Sequence, residues 1–198
     1  MHLGLYEFAH ILKNKVPFIW EIAQSGNDVL FVLLHNKTLR LIPKVLRQNS
    51  DELLFRYVTI NDIDNLESFF LAQPKDSYKF FQPHKFDKKT LLKLYKQKSF
   101  LMFVAEKHGN IVGYFFLRCS FNKKAFWGWI VDSKARNQGI GKRMAVCMST
   151  ISKVLGFRMF ASISPENYAS LKSIGSVTNL RIIKTLDNGY LYIENTPR

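Results

Sequence analysis

The sequence predicts an α/β (α+β) domain over residues 51–198, preceded by a basic, amphipathic helical extension over residues 1–50. Three observations predict it. From about residue 52 the apolar periodicity alternates between strand and helix in the order β-α-α-β-β-β-α-β-α-β-β. Two tight-turn signals, His108-Gly109-Asn110 and Asp187-Asn188-Gly189, each join two strand-like runs. An aromatic and β-branched run, Ala125 to Val131, passes through a glycine-containing loop into a long helical pattern.

In the extension, Leu3, Leu5, Phe8, Ile11 and Leu12 fit one helical face. A second helix opens at Val16-Pro17, with proline tolerated in its first turn, and runs to Leu34. Glu21, Gln24, Asn27 and Asp28 make it too polar to span a membrane. Lys37, Arg40, Lys44 and Arg47 then alternate with Leu39, Leu41, Ile42, Val45 and Leu46. Residues 1–48 therefore read either as a peripheral element on an anionic membrane surface or as an extension packed on the domain or on a second copy in a homodimer.

In the domain, Leu53 to Ile60 reads as a strand, and Thr59 or Asn61 can cap a helix from Asp62 to about Ala72 with Ile63, Leu66, Phe69 and Phe70 inward. A loop bracketed by Pro74 and Pro83 leads to Asp87, which can cap a helix over Lys88 to Lys98. Strands follow at Phe100–Glu106, Ile111–Cys119 and 125–131. A helix runs from near Gly139 to about Gly156, carrying Ile140, Met144, Cys147, Met148, Ile151 and Leu155. Arg158 to Ser164 is a strand, a short helix is expected to start at Pro165, and Leu180–Leu186 and Tyr190–Glu194 form a final hairpin.

With 47% hydrophobic and 14% aromatic residues, the chain can bury a full core, which excludes a disordered protein. The formal net charge of +14 points to anionic partners. Nucleic acid is disfavoured, because the aromatics fall at strand and core positions rather than along an exposed basic stripe. Cys119 and Cys147 read as buried free thiols of a reducing compartment, and no Cys/His spacing suits a metal. No secretion signal is visible, and a cytoplasmic location is expected, peripheral to the inner face of the membrane in the first reading of the extension.

The chemistry concentrates in Val131-Asp-Ser-Lys-Ala-Arg-Asn-Gln-Gly-Ile-Gly-Lys142. Gly139 and Gly141 leave the backbone bare, the following helix offers unpaired amides at the positive end of its dipole, and Lys134, Arg136, Lys142 and Arg143 add charge. This is a site for a phosphorylated ligand. A Walker loop would need a longer glycine spacing and Lys before Ser or Thr; a dinucleotide fingerprint would need glycine where Met144 stands.

Arg136-Asn137-Gln138-Gly139-Ile140-Gly141 resembles the (Arg/Gln)-x-x-Gly-x-(Gly/Ala) signature of the GNAT acetyltransferases, and the order of elements over about three-quarters of the chain is similar to their fold. The resemblance implies a mixed twisted sheet with flanking helices, with acetyl-CoA entering between the strand before the signature helix and the strand after it. It implies that Arg136 to Lys142 hold the pyrophosphate, and that Val131, Asp132 and Ser133, with Ile130, meet the pantetheine arm. No metal is implied. The family's acidic base falls here on Trp127 and Gly128, so no base is assigned; Asp132 is a neighbouring candidate that strand alternation can point away. Gly128 marks either a bulge or a site of close packing. The family's Asn-x-x-Ala-x-x-Leu-Tyr matches at Asn167, but its acid-donating tyrosine falls on Ile174. Tyr168 substitutes as the acid only in a different helix register, and is otherwise a core or surface aromatic.

The loop Lys75–His84 lies where the family binds its acceptor, and brings Tyr78, Phe80, Phe81 and His84. His84 suits a general base near neutral pH, or a local hydrogen-bond partner. The expected activity is acetyl-CoA-dependent N-acetylation of a small-molecule amine, with an amino-sugar nucleotide or cell-envelope precursor suggested by the basic loop. A protein acetyltransferase acting on lysine or an N-terminus, and a non-catalytic CoA-binding module, are the alternatives.

Overall fold

The computed structural model describes residues 17–198, with side chains from residue 23 onward. The helical face at Leu3 to Leu12 lies outside the described residues. Helix α1 spans Pro17–Leu39 and α2 spans Ile42–Gln48. There follow β1 (Leu54–Tyr57), α3 (Ile63–Leu71), α4 (Lys88–Lys96), β2 (Phe100–Lys107), β3 (Asn110–Ser120), β4 (Lys124–Val131), α5 (Ile140–Leu155), β5 (Arg158–Ile163), α6 (Tyr168–Gly175), β6 (Thr178–Thr185) and β7 (Leu191–Pro197).

The strands make one mixed sheet in the order β1-β2-β3-β4-β5-β7-β6, antiparallel except where β4 meets β5. Two cores cover it. On one face α1, α2, α5 and α6 pack through Phe31, Ile42, Val45, Leu46, Met144, Ile151 and Ile174 against Phe103, Phe115 and Trp127. On the other, α3 and α4 pack through Leu66, Phe70 and Leu91 against Met102, Tyr114, Phe116 and Ile130. Sharing a core with the sheet, α2 turns Ile42, Val45 and Leu46 inward while Arg40, Lys44 and Arg47 remain in water.

The caps are those expected of the residues. Asp87 Oδ1 accepts the Thr90 amide at 2.9 Å, and α5 lies between left-handed Gly139 (φ 77°) and Gly156 (φ 68°). A short 3-10 turn, Ile60–Asp62, precedes α3, and Asp62 accepts the Thr59 amide and hydroxyl, each at 2.7 Å. Arg56 donates twice to Asp62, at 2.7 and 2.9 Å, and once to Glu106 at 2.9 Å, joining β1, β2 and the start of α3.

One expectation is corrected and one alternative is decided. The short helix does not start at Pro165: residues 164–166 make a turn, and α6 starts at Tyr168 because Asn167 caps it, accepting the Ser170 amide at 3.2 Å. Gly128 marks no bulge, since β3 and β4 stay in continuous register through it. It is a site of close packing, where a Cβ would come within 2.8 Å of the Phe116 ring and 3.3 Å of Phe81.

Candidate active site

The site is a split in the sheet. β4 and β5 pair only from Lys124↔Arg158 to Phe126↔Phe160, so the rest of β4, Trp127 to Val131, has an open edge towards β5. Backbone direction alternates along a strand. Asp132 donates its amide to Val112 O at 2.9 Å, on the β3 side, so the N–H and C=O of Trp129 and Val131 turn to the open side. The Ser133 amide is engaged, donating at 2.9 Å to Oε1 of buried Gln73, whose Nε2 donates to Phe69 O at 3.1 Å. Asp132 accepts the Lys134 amide at 2.9 Å and so caps the 3-10 turn Ser133–Ala135 that carries the chain out of β4.

That turn leads into the glycine loop at the head of α5. Asn137 (φ 62°) and Gly139 (φ 77°) are both left-handed, which reverses the chain so that α5 starts beside the split. Arg136, Asn137, Gln138 and Gly139 are exposed; Ile140 buries its side chain in the core. The amides at the head of α5 have no acceptor within the helix. A Cβ added at Gly141 would find Trp129 Nε1 at 3.5 Å and Val131 Cγ2 at 3.8 Å as its nearest neighbours, so the helix start lies against the side chains of the two residues whose backbone groups line the open edge of β4. Bare glycines, helix amides and the cations Lys134, Arg136 and Lys142 fit the diphosphate of coenzyme A, and the strand edge fits an amide-bearing arm. Arg143 does not join them, because it pairs with Asp51 at 2.5 Å on the far side of the helix. Arg136 donates to Ser77 Oγ at 2.6 Å, a second link, beside Gln73–Ser133, between this loop and the segment after α3.

That segment covers the other mouth of the split. Phe81 packs over Gly128, and Lys79 pairs at 2.9 Å with Glu166 in the turn after β5. His84 is half-buried among Phe70, Phe86, Phe100, Tyr114 and Phe116, with ring centroids 5.2–6.3 Å away. Its Nδ1 meets Lys85 O at 2.7 Å. A carbonyl only accepts, so Nδ1 carries a proton, and in the neutral ring Nε2 accepts from the Tyr114 hydroxyl at 3.3 Å. Burial drives the Tyr114 phenol far above the ordinary tyrosine range, so it stays a neutral donor. Next to Gly128 on the same sheet face lie Phe126, Phe160 and Tyr192, with centroids 5.8–6.2 Å apart. Arg118, Lys124 and Arg158 lie over these rings at 5.2–6.0 Å.

The structure thus brings Val131, Asp132, Ser133 and Arg136 to Lys142 to one end of the split, with Asn167 at the start of α6. Ile174, at the family's tyrosine position, is fully buried, and Tyr168 stands 76% exposed on the first turn of α6. Sequence reasoning missed Gln73 and Ser77, which bind the segment after α3 to the turn and glycine loop after β4; nothing local in the sequence signals a contact across about sixty residues. Burial pushes the Cys147 thiol up to about 12 and the Cys119 thiol higher still, so neither serves as a nucleophile. Among the described residues no group of His, Cys, Asp and Glu could hold a metal ion.

The sequence profile of the acetyltransferase (GNAT) family matches residues 61–173, more than half of the chain. The chain belongs to the GNAT acetyltransferases. Solved structures agree on the fold. PaiA N-acetyltransferase from Thermoplasma acidophilum, in complex with coenzyme A, superposes with a TM-score of 0.61 at 15% identity, over 74% of this chain and 99% of that one. AAC(6')-Ib in complex with paromomycin and acetyl-CoA gives 0.60 at 12% identity, over 75% and 94%. RimJ from Mycobacterium smegmatis, in complex with CoA-disulfide, gives 0.59 at 17% identity, over 71% and 79%. No curated protein sequence matches the chain. This GNAT protein is therefore an N-acetyltransferase that uses acetyl-CoA.

Proposed function

We propose that this GNAT enzyme acetylates a small-molecule amine that carries a phosphorylated group, of the amino-sugar nucleotide or cell-envelope precursor class. The supporting observation is the surface beside the acceptor mouth, where half-buried Phe126 and Tyr192 flank buried Phe160 beneath Arg118, Lys124 and Arg158, the last also paired with Glu194. The Phe126 and Tyr192 rings suit a planar base or a sugar face, and the cations suit phosphate. The Lys79–Glu166 pair and Phe81 narrow the mouth, which favours a small acceptor over a polypeptide laid in an open trough.

In this reading Arg136 to Lys142 hold the pyrophosphate, while Val131, Asp132, Ser133 and Asn167 position the pantetheine arm. When bound, acetyl-CoA supplies an activated thioester acyl group. The Val131 amide, on the open strand edge, polarises the carbonyl. His84 accepts the proton of the acceptor ammonium on Nε2, exchanging the Tyr114 contact for it, so that a neutral amine attacks. The C–N bond forms as the C–S bond breaks, the nitrogen's second proton passes to solvent, and the exposed Tyr168 hydroxyl gives its proton to the leaving sulfur and regains one from solvent. Two unpaired buried thiols suit a reducing compartment, and we place the reaction in the cytoplasm.

The test is release of CoA thiol with amino sugars, sugar nucleotides, polyamines and peptides as acceptors. Turnover with nucleotide-linked amino sugars at least about tenfold above the other classes supports the proposal. Preference for peptides would assign the enzyme to protein acetylation, and acetyl-CoA binding without turnover on any class would leave a CoA-binding module.

A further inference from the structure

Helix α1 is built inside out. The side it turns to the sheet is polar: Asn27 donates to Ser99 Oγ at 2.9 Å and to Cys119 O at 3.1 Å, and accepts the Phe121 amide at 3.0 Å. Gln24 donates to Ser99 Oγ at 3.1 Å, Asp28 accepts the Ser99 amide at 3.0 Å, and His35 Nε2 donates to Phe121 O at 3.1 Å. Among the described residues, Phe31 is fully buried on that side, and Val32 and Leu39 pack partly buried against the same core. The outward side carries Val29, Leu30, Leu33 and Leu34, at 59%, 43%, 74% and 62% exposure. A helix facing only water has the reverse arrangement. The apolar face runs into Lys37 on the same side and then into exposed Leu41, Arg40, Lys44 and Arg47.

We infer that this face docks on an anionic membrane surface. Exposed leucines beside a cluster of cations are what a helix lying in the headgroup region presents. A second copy of the chain fits less well, because a two-fold contact would bring two sets of Lys37, Arg40, Lys44 and Arg47 together in a protein of net charge +14. No helix of the described residues is long and apolar enough to cross a membrane, so the contact is peripheral. Because α1 and α2 cover one face of the sheet while the acceptor loop covers the other, docking leaves the acceptor mouth towards the aqueous side. The enzyme is held at the membrane and still draws a water-soluble acceptor.

The test is co-sedimentation of the full chain with vesicles of phosphatidylserine and phosphatidylcholine, against phosphatidylcholine alone, at low and high salt. We expect binding to the anionic vesicles that falls at least about tenfold at high salt. The double variant Leu33→Gln/Leu34→Gln keeps the charge and changes only exposed side chains, so it should fold, bind acetyl-CoA normally and lose vesicle binding about tenfold. Vesicle binding unchanged in that variant would reduce the contact to non-specific attraction of a cationic protein and overturn the inference. So would absence of vesicle binding, whether sedimentation equilibrium then shows a dimer that the double variant breaks or a monomer whose face is covered by residues 1–16.

Discussion

Asp62 shows how one residue sets a frame for the site. Burial alone would raise its carboxyl pKa, but the hydrogen bonds from Arg56 and Thr59 outweigh it and hold the group at about 2. A carboxyl depressed in the folded state contributes stability above its unfolded pKa, near 4, and loses it as pH falls towards 2. We expect unfolding by urea to become easier over that window, by on the order of 1–2 kcal/mol after allowance for solvent screening, and Asp62→Asn to be less stable at neutral pH and flatter in its acid response. An Asp62→Asn protein with the wild-type acid profile would show that other carboxylates carry the effect. His84 belongs to the same scale. If Nε2 takes the proton, His84→Ala and His84→Gln should lower kcat at least about tenfold and leave acetyl-CoA affinity little changed. A rise in the acceptor KM alone would mean that His84 binds substrate without moving the proton, and wild-type kinetics in a folded variant would remove both roles. The sequence showed which residue types surround the site; it did not show that His84 turns Nε2 towards Tyr114, because that depends on strand β3 passing beneath the loop.

At the scale of elements, the glycine loop was legible because everything that makes it is contiguous: strand, left-handed turn, glycines and helix lie within one stretch. The start of α6 was less so. Proline before Glu166 suggests a first turn, but Ser164 and Asn167 make a tighter local arrangement, with the Asn167 amide donating to Ser164 O at 2.9 Å, and the cap falls two residues later. Helix α1 is mixed in polarity, as its residues indicate, but a sequence does not reveal which side meets the sheet. Its partner α2 is part of the core, since Ile42 is fully buried with Phe31 beside the sheet. We therefore expect Ile42→Ala to cost about 2–5 kcal/mol in chemical denaturation, as a core truncation does, with a single transition. A cost below about 0.5 kcal/mol would mean that α2 detaches without disturbing the domain.

For the whole molecule, the sheet order follows from its connections. The hairpins β2-β3, β3-β4 and β6-β7 are local, while the single parallel contact, β4 with β5, needs α5 as its crossover. That parallel contact is also where the sheet parts, leaving the head of α5 on one side of the opening and the loop 75–84 across it. The links Gln73–Ser133 and Arg136–Ser77 join the two sides and were invisible in the sequence, because they depend on how the sheet brings distant segments together. The central claim is that this opening, read from Val131 to Lys142, holds acetyl-CoA. Titration calorimetry of acetyl-CoA into the wild type, Gly141→Ala and Gly141→Val tests it. A Cβ at Gly141 meets only ordinary contacts at 3.5 Å or more, and the family signature admits alanine there, so both variants should fold and the alanine should still bind. The branched valine should bar the pyrophosphate and abolish binding; a folded Gly141→Val protein with wild-type affinity would contradict the account.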